Sequence, residues 1–444
     1  LNMKKQSYNF YLCVFIISLN FSSLKSQVIK AYFNQSVDNT ISTITDAKTS
    51  SHLEDTICDI INKSNLTIDL AVWDNGSAKI VTALNNAFAR GVLVRYISSG
   101  NSLNTALSGL NSSIPLLKRS SILTSNVMHN KFIISDNKLV LTGSMNFGLG
   151  SMEDDYNNIL IVSNVSLALN YKTEFDEMWG STGAVPNTTL SKFGPAKSDN
   201  TIHFFTVGTI PVESYFSPSD LTSAKIVNAI NSANFSLDIA MFTFTDNDLG
   251  DAVKAAKLRG VNVRCIIENV SYFGSEYSGL LSSGINTLSH ASFPNDFHHK
   301  YCIIDAMNPS SDPLVVTGSH NWSNSANDEY DENTLIIHDL NIAHQYTEEF
   351  TKRFVEMGGV SGIQNLSDVL DIAIYPNPTN GLITLNSSSQ KLGSLKIYNA
   401  LGQQVLFFPN IKFNETMQLN LEHGLYCIEL EVENTIIKSK LIIK

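Results

Sequence analysis

The chain has 444 residues, 43% of them hydrophobic and 16% charged, with a formal net charge of −11. Those values exclude a disordered chain and a single ordinary core, and favour two or three globular domains. The acidic balance counts against a protein whose main work is holding nucleic acid through phosphate contacts, although a local basic cleft is compatible with it.

In chain order, the first feature is a short apolar run, Phe10 to Leu19, behind the basic pair Lys4 and Lys5. Small residues then lead to a cut near Ser26 and Gln27, so residues 1–26 are read as a secretory signal peptide, too short to span a bilayer. Met3 is a more natural start than Leu1. Cys13 lies in this segment, and Cys58, Cys265, Cys302 and Cys427 show no regular spacing. Neither a disulfide framework nor a metal site is therefore expected, and no cofactor. His52, His203, His338 and His423 read as isolated.

The body of the chain is a duplication. Asn65 to Ala71 reads against Asn234 to Ala240, and Arg90 to Arg95 against Arg259 to Arg264, at one offset of 169 positions. In each copy an amphipathic segment (Leu53 to Ile61; Ala224 to Ile230) predicts a helix before a buried strand (Leu66 to Trp73; Phe235 to Phe244). A second helix is predicted to stop at Gly91 or Gly260, where glycine takes a left-handed cap. Val92 to Ile97 and Val261 to Ile267 follow as strands. Alternating helices and apolar strands predict α/β lobes with each sheet covered on both faces.

After variable stretches, Ser98 to Met128 and Asn269 to Phe297, the string His-x-Lys-x-x-x-x-Asp occurs twice. It runs from His129 and Lys131 to Asp136, and from His298 and Lys300 to Asp305, at the same offset of 169. Each copy leads to Gly-Ser-x-Asn, at Gly143, Ser144 and Asn146 and at Gly318, Ser319 and Asn321. The offset there is 175, because the second copy has a longer turn from Met307 to Pro313. One match would be weak, but two at an offset set by independent segments are not accidental. Each motif predicts a hairpin, with histidine and lysine on one face and serine and asparagine together on the returning strand.

Two histidines and two lysines are the parts needed to cut a phosphodiester without a metal. One imidazole attacks phosphorus, the other protonates the leaving oxygen, and the lysines hold the charge. Asp136 and Asp305 fall beyond the apolar strand, and are expected to fix the turn or pair with basic groups. His299 and His320 are expected to be wall residues.

On these residues, the chain from 28 to about 358 resembles a two-motif member of the phospholipase D superfamily. The resemblance implies two lobes packed with pseudo-twofold symmetry around one site and a phosphohistidine intermediate. It makes His129, Lys131, His298 and Lys300 catalytic, and gives Asn146, Asn321, Ser144 and Ser319 phosphate-binding or supporting roles. Family members often place an acidic residue after Gly-Ser-x-Asn to orient the opposite histidine. Thirteen positions after each serine stand Glu332 and, as a departure, Asn157. If the contact crosses the seam, Glu332 serves His129, which makes His129 the nucleophile and His298 the acid.

From Asp371 short alternating runs replace the α/β pattern and predict a small all-β sandwich. Its opening, Tyr375 to Pro378, the Ile397 to Gln403 segment and the basic end resemble the C-terminal sorting domains of the type IX secretion system. The expected organisation is signal peptide 1–26, lobe 27–180, link 181–200, lobe 201–358, link 359–370 and sorting domain 371–444. The favoured reading is a secreted phosphodiesterase acting on phospholipid. Tyr272, Phe273, Tyr277, Phe293 and Phe297 precede the second motif and are available to meet lipid. A secreted nuclease using Lys118 and Arg119 is the alternative, followed by a phosphatidyl transferase and a surface-displayed binding protein without activity. A monomer is expected because both motifs lie in one chain, with the type IX machinery as its partner and the outside of the cell or its surface as its destination.

Overall fold

A computed structural model describes residues 28–444, except 43, 102, 120–126, 361–372, 387–392, 400–401 and 433–434. The signal-peptide reading and most of the second link lie outside the described residues.

Among the described residues, the duplicated region forms two eight-stranded mixed sheets of matching order. In the first, Thr67–Val72 is flanked on one side by parallel Leu93–Ser99 and on the other by antiparallel Lys131–Ser135. The second repeats this with Ser236–Met241, Asn262–Ile267 and Lys300–Ile304. Even the register repeats, with Val72 opposite Lys131 and Met241 opposite Lys300. The helices also fall where periodicity placed them, Leu53–Lys63 and Ala78–Ala89 in one half, Thr222–Ser232 and Asn247–Leu258 in the other. Gly91 and Gly260 follow the second helices with φ of 90° and 92°, a conformation that L side chains resist.

Each sheet buries one face against its own helices and the other in a core common to both halves. The common core is closed by two long helices, Val165–Trp179 and Leu340–Glu356. Through it run buried polar contacts between the halves. Asn158 Nδ2 donates to Tyr346 Oη at 2.8 Å and to Thr317 Oγ1 at 3.1 Å, and Asn333 Nδ2 donates to Asn130 Oδ1 at 2.9 Å. Such groups fix one register of packing, because any slip leaves them unsatisfied in a dry core.

The repeated aspartates inside apolar strands have a structural reason. Asp69 lies beside Arg95 on the neighbouring strand, and Asp238 beside Arg264. Both pairs are bidentate and buried, at 2.6 and 2.8 Å and at 2.7 and 2.7 Å. The guanidinium groups lie over Phe175 and Phe350, carried by the long helices. A buried pair adds little net stability, but removing one partner costs about 3–5 kcal/mol.

Asp136 and Asp305 stand at the far end of the motif strands from the histidines. Asp136 accepts the backbone N–H groups of Asn65, Leu66 and Thr67, and Asp305 those of Asn234, Phe235 and Ser236. They hold the entry to the central strand and orient nothing in the site. Residues 181–200 are mostly exposed but are pinned to the lobes where Phe193, Gly194 and Lys197 are buried. Lys197 is buried there with Glu174 at 2.5 Å and Asp331 at 3.2 Å. His203 and His338 are not isolated either; His203 meets Asp199 at 3.1 Å, and His338 bridges Glu213 and Asp312.

The tail is all β: a three-stranded and a four-stranded sheet that share an apolar core of Ile383, Leu385, Leu395, Ile397, Ile428, Leu430 and Leu441.

Gly143 and Gly318 end the returning strands with φ of 147° and 154°. A Cβ at either would fall 2.2 Å from the Asn158 carbonyl oxygen or 2.1 Å from that of Asn333. Gly318→Ala is therefore expected to destabilise the chain by about 3 kcal/mol or more, read as a lowered denaturant midpoint with unchanged slope.

Candidate active site

Both motif histidines sit two residues ahead of the strands Lys131–Ser135 and Lys300–Ile304, where the two sheets meet. The backbones interlock here: His129 N–H donates to the Asp331 carbonyl, and Tyr156 N–H to that of Asp296. Each ring is then held by the other half. His129 Nδ1 lies 2.7 Å from Glu332 Oε1, and His298 Nδ1 lies 3.0 Å from Asn157 Oδ1.

The amide of Asn157 is oriented by its neighbours. Its Nδ2 donates to the Ser151 carbonyl at 2.9 Å, and its Oδ1 accepts from Ser144 Oγ at 2.8 Å. An oxygen therefore faces His298, whose Nδ1 must carry the proton and whose Nε2 is left bare. The carboxylate of Glu332 fixes His129 in the same tautomer.

Ser144 and Ser319 do not continue the returning strands, which end at Gly143 and Gly318. The turn aims their hydroxyls onto the orienting residues, Ser144 to Asn157 and Ser319 to Glu332 at 2.5 Å. Both oxygens also accept the backbone N–H of Asn158 or Asn333 at 3.0 Å. They are props for the orienting groups. Asn146 and Asn321 follow, each with a buried Oδ1 that has no protein partner.

Lys131 Nζ donates to the His129 carbonyl at 2.7 Å, and Lys300 Nζ to that of His298 at 2.9 Å. Lys300 Nζ also lies 3.1 Å from His298 Nε2. Trp73 meets the His129 ring edge-on at 5.5 Å, and Phe242 meets His298 at 4.6 Å. These aromatics occupy equivalent positions in the repeat and each also underlies a lysine, Lys131 or Lys300. Sequence reasoning missed both, although the offset of 169 pairs them.

Burial and mutual repulsion dominate the electrostatics. Desolvation, Lys131 and Lys300 hold the His129 imidazolium well below its ordinary range; desolvation, Lys300, Lys131 and His129 do the same to His298. Burial lowers Lys131 to about 8, against the pull of Glu332 and Asp74. Lys300 falls well below its usual value through burial and Lys131. Groups that depress one another in this way lie close together. Burial also raises Glu332 to about 7 despite Lys131. The arrangement offers two neutral imidazoles with bare Nε2 atoms and a surplus of positive charge, which an entering phosphate anion would neutralise.

Other expected residues lie elsewhere. His299 is core, between Asn158 Oδ1 and Glu349 Oε1 at 3.3 and 3.2 Å, whereas His320 is buried close enough to lower His129 further. Of the five loop aromatics, Phe297 is buried and Tyr277 packs against the second-half core, but Tyr272, Phe273 and Phe293 are exposed. Arg119 is drawn inward over Phe193, leaving Lys118 as the exposed member of that basic pair.

A family model described as "Cardiolipin synthase, PLD-like domain" matches residues 57–179 and 226–354, and one described as "Secretion system C-terminal sorting domain" matches 373–444. The mitochondrial cardiolipin hydrolase of Homo sapiens is 33% identical over 132 residues, 29% of this chain and 49% of that protein. The chain thus spans about half the length of this curated relative. A phosphatidylserine synthase of Haemophilus influenzae has a similar fold, with TM-score 0.51 and 14% identity over 68% of this chain and 84% of that one. Nuc from Salmonella typhimurium, a phospholipase D family member, is 28% identical, with TM-score 0.29, over 32% of this chain and 93% of that one.

The lowered imidazoles tie stability to pH. Below the ordinary value of 6.5 the unfolded chain protonates these rings while the folded chain does not, so acidification favours unfolding. Glu332, raised, acts in the opposite sense, so the readout is a difference between variants. The fall in Tm between about pH 7 and pH 5 should be smaller in His298→Gln than in the unaltered protein; equal falls would place the depressed charge elsewhere.

Proposed function

Because this chain belongs to the phospholipase D-like family, we propose that it is a metal-independent phosphodiesterase that hydrolyses phospholipids through a phosphohistidine on His129. One observation carries the assignment of roles: Glu332 holds His129, whereas an amide holds His298. When His129 Nε2 bonds to phosphorus, the imidazole becomes cationic. A carboxylate 2.7 Å from Nδ1 stabilises that charge, and the amide of Asn157 cannot do so equally.

His298 then works as acid and base. The bound phosphodiester anion counters the field of Lys131 and Lys300 and lets Nε2 hold a proton, which passes to the leaving alcohol oxygen as the P–O bond breaks. Water next attacks the phosphohistidine, giving its proton back to His298 Nε2 and freeing His129. The lysines and the amides of Asn146 and Asn321 bind the non-bridging oxygens in this scheme.

The lipid reading is supported by the likeness to a cardiolipin hydrolase and by the loop ahead of the second motif, where Phe273 is fully exposed and Tyr272 is 54% exposed. Large aromatics held out in water on the loop ahead of the second motif suit insertion among lipid head groups. The sorting domain directs export through the type IX system to the outside of the cell or its surface. We read the segment before residue 27 as the signal that precedes this step, and the exported protein as a monomer.

Acid-quenched protein should carry labelled phosphate on His129, and His129→Ala or His298→Ala should lower turnover on the order of 10³-fold or more. Label on His298 would reverse the roles. Parallel assays on phospholipid vesicles and plasmid DNA, with chelator present, should show lipid turnover; DNA nicking alone would make the protein a nuclease. Tyr272→Ser with Phe273→Ser should slow vesicle hydrolysis several-fold and leave a soluble diester unaffected.

A further inference from the structure

The two halves descend from one pattern, so each serves as a control for the other. At one place they differ in a coordinated way. The second half has a cavity of about 750 Å³ between the first turns of Thr222–Ser232 and Asn247–Leu258 and the short helix Asn324–Asp328.

In the first half the positions equivalent to Thr222 and Asn327 are Leu53 and Met152, both buried in the apolar core. The second half puts polar side chains there. Thr222 lines the cavity, is only 1% exposed, and its Oγ1 has no hydrogen-bond partner. A buried hydroxyl without a partner is destabilising, and a fold gains nothing from it unless something else meets that oxygen.

Charge changes in parallel. Lys79 in the first half pairs with Asp55 and lies 3.7 Å from Glu54. Its equivalent is Asp248, a reversal of sign. Asp328 lines the same cavity, and neither it nor Asp248 has a cationic partner among the described residues. Asp246 adds a third carboxylate, which caps Leu249 N–H at 3.1 Å and accepts from Ser223 Oγ at 2.8 Å. The two helix N-termini supply about half a positive charge each, less than the three carboxylates. Lys225, on the wall helix, turns instead onto the Tyr215 ring.

Pro218, Leu221 and Val227 line the rest. Among the described residues, no three carboxylates of this cavity converge on one point as a metal ion requires. The volume and the apolar patches suit a larger guest with a carbon body.

We propose that this cavity is a binding site for an organic cation, an amine with an aliphatic chain such as a polyamine. The ammonium groups meet Asp248 and Asp328, one donor reaches Thr222 Oγ1, and the methylenes lie on Leu221 and Val227. The site is separate from the phosphodiester chemistry in what it binds, although Asp246 and Asn327 also influence His320. Binding, not turnover, is therefore the measurement.

The full chain should bind spermidine saturably in low-salt calorimetry. Asp248→Lys restores the sign found in the first half at an exposed position, and should weaken binding at least tenfold without lowering Tm. Thr222→Leu refills the space as Leu53 does, and should also weaken binding while Tm holds or rises. Absence of saturable spermidine binding, or equal binding by Asp248→Lys, would overturn the proposal. So would saturable calcium binding that Asp248→Lys abolishes and spermidine cannot displace, which would make the cavity an inorganic cation site.

Discussion

Everything at the centre of this molecule depends on two hydrogen bonds that cross between the halves, His129 to Glu332 and His298 to Asn157. Neither half holds its own histidine. A ring with its Nδ1 unpaired would be free to change tautomer and to rotate, and its nucleophilic atom would point nowhere in particular. The seam is built to prevent this. Asn130, Asn158, Asn333, Thr317 and Tyr346 form buried polar contacts across it, each of which loses its partner if the lobes shift. The polar seam is thus a registry device, and the histidine contacts are its functional product.

Duplication supplies symmetry, and the proposed reaction requires that it be broken. A double displacement needs one imidazole that tolerates becoming cationic and another that exchanges a proton with the leaving group. Identical surroundings would make the rings equivalent and favour neither role. Here the charge of the orienting group separates them: a carboxylate thirteen residues after one serine and an amide thirteen residues after the other. The serine props are the same in both halves, since Ser144 and Ser319 each donate to the orienting side chain. The distinction therefore lies in charge and not in geometry.

Much of this arrangement was legible in the chain itself. Period and glycine caps placed the helices and the central strands, because those signals are local. The constant offset of 169 disclosed the pairing of the halves, and the spacing from Ser319 brought Glu332 forward. What stayed hidden depends on the third dimension. Nothing local separates Phe297, which is buried, from Phe273, which is bare, since both lie in one irregular stretch. The serines take the supporting role expected of them but not the place on the returning strand, because Gly143 and Gly318 turn the backbone out of its pleat just before them, which ends the two-residue alternation on which the strand argument rests. Residues 181–200 carry the composition of a tether, yet one buried ammonium, Lys197, binds them to Glu174 and Asp331. Composition reports what a segment resembles on average, while a single ion pair decides where it goes.

The site also bears a cost that explains its form. Four basic groups stand close together in one poorly solvated site, with Glu332, raised to about 7, as a partly neutralised carboxylate beside His129. Folding alone would not assemble such a set, because each group loses hydration and gains repulsion. The protein limits the penalty by leaving the rings uncharged and by placing Lys131 and Lys300 over Trp73 and Phe242, whose faces attract cations. What remains is a field with no internal counter-ion of equal size. A doubly esterified phosphate, with one negative charge, relieves part of that field on entry. The phosphoryl group in transit, with charge spread over its oxygens, relieves more. In the proposed reaction, the repulsion built into the site would thus become preference for the species nearest the transition state.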